Sequence, residues 1–66
     1  MRRIPRKELR RGDYVFFTGD SGVYHVGLFV GREDGDVYIV HAPHPHTKVR
    51  REKVWTNDWF AGTLRR

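Results

Sequence analysis

The sequence predicts a mainly β domain, either a small antiparallel SH3-like β-barrel or a rolled sheet, with about five strands and at most a short helical turn. Short runs of aromatic and β-branched residues recur along the chain, and clusters of glycine and acidic residues separate them. The chain has only 66 residues, and no repeat or linker divides it. We therefore expect residues 1–11 to be a basic lead-in and residues 12–66 to form one domain.

The first predicted elements are an extended segment and a strand. Residues 1–11 are charged and contain Pro5, which favours an extended lead-in with one helical turn around residues 7–9. Residues 14–18 are aromatic and β-branched, as in a strand. The glycine-rich segment 19–22 that follows is a strong turn signal, so we expect the chain to reverse there.

A β-hairpin is predicted next. Residues 23–30 and residues 36–41 have the length and composition of strands, and the glycines and acids of residues 31–35 suit the turn between them. The two prolines within residues 42–46 cannot donate to a ladder, so this segment should be a loop or an edge. A short strand is expected after it, at residues 47–49.

The last element is harder to assign from its pattern. The aromatic residues between positions 54 and 64 fall at roughly helical spacing. However, residues 56–58 resemble a cap or a turn, and Gly62 would weaken a helix. We expect a short turn followed by a strand at residues 59–63.

The composition limits the function classes. A net charge of +5 favours acidic surroundings such as nucleic acid, anionic lipid or an anionic cell-wall polymer. The chain contains no cysteine, so no disulfide supports its small core, and an oligomer interface or a second polypeptide would add stability. No stretch approaches the roughly 18 apolar residues of a membrane span. We therefore expect no membrane span. No signal peptide is recognised at the start, and the localisation is left open.

Two histidines stand at corresponding places in the predicted hairpin. Side chains alternate between the two faces of a strand, so His25 shares a face with Gly27, and His41 shares a face with Ile39. If residues 31–35 form the hairpin loop, Gly27 lies opposite Ile39, and His25 lies opposite His41. The two imidazoles are then expected to adjoin, with the small Gly27 leaving space beside them or allowing a close backbone approach.

Three segments together resemble the NlpC/P60 family of cell-wall cysteine peptidases. They are Gly12-Asp13-Tyr14-Val15-Phe16-Phe17, His25-Val26-Gly27-Leu28-Phe29-Val30-Gly31 and Val40-His41-Ala42-Pro43. The ending from Trp59 to Arg66 is also similar to the close of those domains, and the resemblance covers roughly residues 9–66.

The resemblance implies a histidine base without its nucleophile. It implies that His25 is the general base and that His41 is the polar residue that orients it, because a thiol with a pKa near 8.5 needs an imidazole to become a thiolate. In the family the nucleophilic cysteine opens a helix that precedes the β-region, in an Asp-Cys-Ser-Gly-like motif. No such helix stands before Gly12 here, so the isolated chain is expected to be inactive as a peptidase.

Three interpretations of the chain stay open. It could be a fragment of a longer enzyme, a subunit completed by another chain that carries the cysteine helix, or a degenerate module that binds wall peptides. Self-association would also support the small core. A completed site would hydrolyse an amide bond of a peptidoglycan stem peptide, in the cell envelope or outside the cell, without a cofactor. We expect binding contacts from Gly27, Tyr24, His44 and Trp55.

Other functions compete with this interpretation. Asp20-Ser21-Gly22 echoes a nucleophile motif with serine, but it lies in a predicted hairpin loop with no helix behind it, so Ser21 is not expected to act as one. The four histidines could bind a transition metal, but their spacing is not a standard pattern, and we predict no metal site. A small basic barrel that binds nucleic acid or another polyanion is the main alternative.

Overall fold

The computed structural model describes residues 1–42 and 46–65, and within them the chain forms one six-stranded antiparallel sheet. The strands are β1 (Arg2–Ile4), β2 (Tyr14–Gly19), β3 (Gly22–Glu33), β4 (Asp36–His41), β5 (Arg50–Lys53) and β6 (Trp59–Thr63). They lie in the order β1-β6-β2-β3-β4-β5. A 3-10 turn at Arg6–Glu8 is the sole helical element of these residues, and no helix among them is long and apolar enough to cross a membrane. The mainly β prediction is confirmed, but the sheet is open and not closed into a barrel.

Both edge strands differ from the sequence prediction. Residues 1–11 are predicted to form only a lead-in, but they contain strand β1. This strand forms because Ile4 pairs with Ala61 of β6 and buries its side chain in the core. The strand predicted at residues 47–49 is wrong, since β5 begins at Arg50. β5 pairs with β4 from Tyr38↔Lys53 to His41↔Arg50, and the Arg51 guanidinium lies 4.1 Å from the centroid of the Tyr38 ring.

The β3–β4 hairpin closes through two residues and not through the predicted five. Asp34 and Gly35 have φ angles of 52° and 84°, as a type I′ turn requires, and β3 continues to Glu33. An irregularity between Phe29 and Gly31 then sets Phe29 opposite Ile39. The predicted pairing of Gly27 with Ile39 is therefore wrong by two residues, and a shift of two leaves His25 and His41 on their predicted face.

One face of the sheet carries the hydrophobic core. Its members are apolar residues from five strands and from the segment between β1 and β2, namely Ile4, Leu9, Val15, Phe17, Phe29, Ile39, Trp59 and Ala61. The inward positions of β2, β4 and β6 alternate, as predicted for Ile39 and His41 of β4. His25 and His41 project from strands that carry this core, so the core fixes the backbone on which they stand.

Gly27 is required by the packing of this core. A Cβ atom at this position would lie 2.6 Å from Cδ1 and 3.0 Å from Cβ of Ile39, whose side chain is fully buried. The space predicted beside Gly27 is thus filled by Ile39, and the close backbone approach is the arrangement found.

We expect Gly27→Ala to lower the free energy of unfolding by about 1–3 kcal/mol, because the added methyl group overpacks a site that Ile39 already fills. Denaturant unfolding measures the change. Gly35→Ala is not a suitable control, because Gly35 has a positive φ. In Gly19→Ala the added Cβ contacts only the Tyr24 ring, at 3.7 Å, so this control should have a smaller effect. Equal losses in the two variants would contradict the packing argument.

Asp13 ties the turn before β2 to the end of β6. Its buried carboxylate accepts hydrogen bonds from the Thr63 hydroxyl and from Nε and Nη2 of Arg65, and Oδ2 also accepts one from the Arg10 backbone N–H at 2.9 Å. Its backbone carbonyl accepts from the Phe29 N–H at 2.8 Å. The Arg65 side chain is the main reason that the pKa of Asp13 lies far below the usual range of an aspartate. Through its carboxylate and its backbone carbonyl, Asp13 therefore joins three parts of the chain.

Candidate functional site

Two imidazoles meet on the core face of the sheet. Nε2 of His25, on β3, lies 2.7 Å from Nδ1 of His41, the last residue of β4. The rings are nearly perpendicular, with an interplanar angle of 73° and centroids 4.9 Å apart. His41 is buried, and His25 is half-buried. The sequence prediction that these imidazoles adjoin is confirmed, although they approach diagonally and not as directly opposed residues.

A carboxylate continues the chain of hydrogen bonds. Nε2 of His41 lies 2.7 Å from Oε1 of Glu52 on β5, and Nη2 of Arg50 donates to the same oxygen at 3.2 Å. The hydrogen bond from His41 is the main reason that the pKa of Glu52 is lowered. The result is a continuous relay, His25–His41–Glu52, that runs across three adjacent strands. We call these three residues the relay.

A β-bulge positions His25. Phe17 of β2 pairs with His25 and Thr18 pairs with Val23, so Tyr24 is an extra residue on β3. The bulge sets both Tyr24 and His25 beside the Phe17 ring, with centroid distances of 6.4 Å and 5.8 Å. Simple alternation assigns Tyr24 to the face opposite His25, and the bulge brings it beside the Phe17 ring instead.

Trp55 covers the relay from the segment between β5 and β6. Its ring stacks on Phe17 at 4.2 Å and on His41 at 5.3 Å, and its centroid lies 5.9 Å from that of His25. The side chain is still 47% exposed. One ring face therefore shields the hydrogen bonds from water, while the rest of the indole is open to solvent and available to a ligand.

The predicted binding residues have different positions. The Trp55 ring lies 5.9 Å from that of His25, and the Tyr24 ring lies 6.4 Å from that of Phe17, on which Trp55 stacks. Gly27 is explained by packing, and its role in binding stays a prediction. His44 lies outside the described residues. No group of three metal-binding side chains is arranged around a common point within residues 1–42 and 46–65.

Ser21 is far from the relay. It lies in the two-residue loop between Gly19 and Gly22, which pair with each other. Three residues of β3 lie between Ser21 and His25, and four extended steps of about 3.3 Å span roughly 13 Å. A serine at that distance cannot transfer its proton to the imidazole.

The sequence profile of the NlpC/P60 family matches residues 1–65. The chain belongs to the NlpC/P60 family. No curated protein and no solved structure matches it. In this NlpC/P60 chain, the segments that carried the resemblance have structural roles. Asp13 builds the junction with Arg65, and the segment from His25 to Gly31 holds the first imidazole of the relay, the packed glycine and the second bulge.

Sequence analysis did not identify Glu52 of this NlpC/P60 chain. It stands in a charged run, Arg50-Arg51-Glu52-Lys53, that looks like a solvated surface. The proximity of Glu52 to His41 can be inferred only when β5 is placed correctly, with Ile39 opposite Glu52 and His41 opposite Arg50. Glu52 is then a diagonal neighbour of His41, within reach of a long side chain.

Much of the positive charge is used inside the molecule. Among residues 1–42 and 46–65, six guanidinium groups lie over an aromatic ring or pair with a carboxylate, and they belong to Arg3, Arg6, Arg32, Arg50, Arg51 and Arg65. Arg6 also donates to Oδ1 of Asn57 at 2.8 Å. These contacts reduce the number of cations free to bind a polyanion, and polyanion binding stays a prediction.

Proposed function

We propose that this chain supplies the base half of a cysteine-peptidase site that hydrolyses an amide bond in a peptidoglycan stem peptide, and that a cysteine-bearing segment outside these 66 residues completes it. The single observation that carries the proposal is the His25–His41 contact of 2.7 Å in a chain of the NlpC/P60 family. The chain itself contains no cysteine, so alone it is proposed to be inactive as a peptidase.

The chemistry follows from the relay. His25 takes the thiol proton on Nδ1, and the thiolate attacks the amide carbonyl carbon to form a tetrahedral intermediate. The intermediate expels the amine, which receives the proton from His25, and leaves a thioester. Water, deprotonated by the same imidazole, then attacks the thioester carbonyl carbon. The carbon–sulfur bond breaks, the carboxylic acid product leaves, and the thiolate takes the proton back from His25. His41 accepts the Nε2–H of His25 throughout and stabilises the imidazolium that forms.

An apolar surface on the other side of the sheet supports completion by a further element. Val23, Val26 and Leu28 are 53%, 45% and 37% exposed, and the Phe16 and Phe60 rings stack beside them at 5.1 Å. A sheet with one buried face and one apolar exposed face is not fully covered by its own chain. A cysteine-bearing segment or a second copy of this chain would bury this surface.

Thiol activation tests the proposal directly. The chain is combined with the cysteine-bearing segment encoded beside it or in the same gene product, and alkylation of the thiol by iodoacetamide is followed at pH 7. We expect His25→Asn to slow alkylation by at least tenfold, because the thiol then keeps its ordinary pKa near 8.5. Release of free amine from a stem peptide should be lost in parallel.

His46→Asn is the matched control. It makes the same replacement at an exposed histidine outside the relay, and asparagine tolerates its φ of 66°. Alkylation that is equally fast in wild type and His25→Asn would overturn the proposal. Binding of the stem peptide without amine release would instead indicate a degenerate binding module. Retention on nucleic acid that falls steeply with salt and is unchanged in His25→Asn would favour polyanion binding.

A further inference from the structure

Glu52 lies at the end of the relay, where it can decide which ring nitrogens carry protons. We propose that Glu52 is a positioning residue that holds both imidazoles in the Nε2–H form, so that Nδ1 of His25 carries the lone pair of the base. The proposal deepens the function proposed above and rests on it for its catalytic meaning. Its physical content, the direction of the hydrogen bonds, can be tested without a thiol.

The carboxylate sets the direction because it can only accept. An ionised glutamate has no hydrogen to donate, and Glu52 is held ionised by His41 and by Arg50. Nε2 of His41 must therefore carry the proton of the hydrogen bond of 2.7 Å. In neutral His41 the other nitrogen, Nδ1, is then an acceptor.

The same logic passes to His25. Nδ1 of His41 lies 2.7 Å from Nε2 of His25, and one of the two atoms must donate. Because Nδ1 of His41 is the acceptor, Nε2 of His25 is the donor. Neutral His25 then has its lone pair on Nδ1. Three hydrogen-bonding groups on β3, β4 and β5 thus share one orientation, which the carboxylate imposes.

A neutral group in place of the carboxylate would not impose this orientation of the hydrogen bonds. A glutamine side chain offers an oxygen or an NH₂ to His41, so either nitrogen of His41 can carry the proton. In the reversed chain, Nδ1 of His41 donates to Nε2 of His25, and neutral His25 carries its proton on Nδ1. That form cannot accept a proton on Nδ1, and it is the form that Glu52 excludes.

The fold keeps Glu52 in place. Arg50 and Glu52 lie two residues apart on β5 and project on one side of the strand. Arg50 is opposite His41 in the register, and its guanidinium restrains the carboxylate on Oε1 at 3.2 Å. The Glu52 side chain is 34% exposed, so it can be replaced by glutamine without opening the core.

Two-bond ¹H–¹⁵N correlation spectra of the 66-residue chain test the proposal, because they distinguish Nε2–H from Nδ1–H imidazoles. In wild type we expect both His25 and His41 in the Nε2–H form at a pH where both rings are neutral. In Glu52→Gln we expect the ratio of Nε2–H to Nδ1–H forms of His41 to fall on the order of tenfold, since a neutral acceptor replaces a charged one.

Glu33→Gln is the matched control. It removes the same charge from the neighbouring strand β3, where Glu33 pairs with Arg51 at 2.9 Å and contacts neither imidazole. We expect wild-type tautomers in this variant. Wild-type His41 in the Nδ1–H form, or a tautomer ratio in Glu52→Gln equal to that in Glu33→Gln, would overturn the proposal. If Glu52→Gln does not fold, the wild-type spectrum and Glu52→Asp, which keeps the charge and should keep the tautomer, still decide it.

The tautomer experiment separates this inference from the proposed function. If the tautomers are as expected but no thiol is activated, the peptidase proposal fails and the role of Glu52 in orienting the imidazoles stands. If thiol activation is observed but the tautomers do not depend on Glu52, the peptidase proposal stands and Glu52 has no positioning role.

Discussion

Asp13→Asn is expected to lower the free energy of unfolding by about 3 kcal/mol, the lower part of the range for removing one partner of a buried ion pair. The carboxylate of Asp13 is only 3% exposed and accepts hydrogen bonds from Arg10, Thr63 and Arg65. Asparagine has the same shape but loses the charge and one acceptor. Thermal unfolding should report a fall in Tm of roughly 12–24 °C for a domain of this size.

The effect of Asp13 should depend on pH in a defined direction. Its pKa is lower in the folded chain than in the unfolded chain, mainly because Arg65 donates to it. Its contribution is therefore complete above the ordinary aspartate pKa of about 3.9 and is lost as the pH falls from there toward the folded value. Glu52, whose pKa is also lowered, adds to the acid sensitivity in the same direction.

The comparison of variants at two pH values isolates the charge. The difference between wild type and Asp13→Asn should be largest at pH 7 and should shrink by pH 2.5. Glu33→Gln breaks an exposed ion pair with Arg51, and we expect it to change stability by no more than about 1 kcal/mol. A difference between wild type and Asp13→Asn that stays the same from pH 7 to pH 2.5 would show that the packing of the side chain, and not its charge, matters.

Local patterns were sufficient for the central strands. The strands at 36–41 and 59–63 are found at their predicted bounds. Turn signals on both sides mark the first strand, and for the second the turn at residues 56–58 and Gly62 outweigh the roughly helical spacing of the aromatic residues. The pairing of His25 with His41 could also be anticipated from alternation, since a register error of two residues does not change the face of a side chain.

Other features depend on contacts that no local pattern encodes. The bulge at Tyr24 breaks the alternation, and nothing in the run from Val23 to Val30 marks it. Strand β1 contains two arginines and forms because Ile4 finds a place in the core beside Ala61. Glu52 was missed for the same reason, as its importance comes from the strand that lies next to it and not from its own neighbours in the chain.

His41→Leu is expected to reduce kcat/KM of the completed peptidase on the order of 10³- to 10⁴-fold, the size of loss typical when a base loses the group that orients it. Leucine can neither accept from Nε2 of His25 nor donate to Glu52, so it interrupts both hydrogen bonds of 2.7 Å. His41 has a side chain that is only 1% exposed and is covered by Trp55, so it does not meet the substrate. The loss should therefore appear in kcat, with KM nearly unchanged.

His41→Gln separates orientation from packing in this prediction. Its amide can accept from His25 and donate to Glu52, so it should retain much more activity than leucine, while Tm values show whether either variant is unfolded. Equal losses in the two folded variants would contradict the orienting role.

A second check uses non-additivity: because His41 acts only through His25, adding His41→Leu to His25→Asn should cause almost no further loss. A full additional loss in the double variant would mean that His41 contributes to the reaction independently of the base.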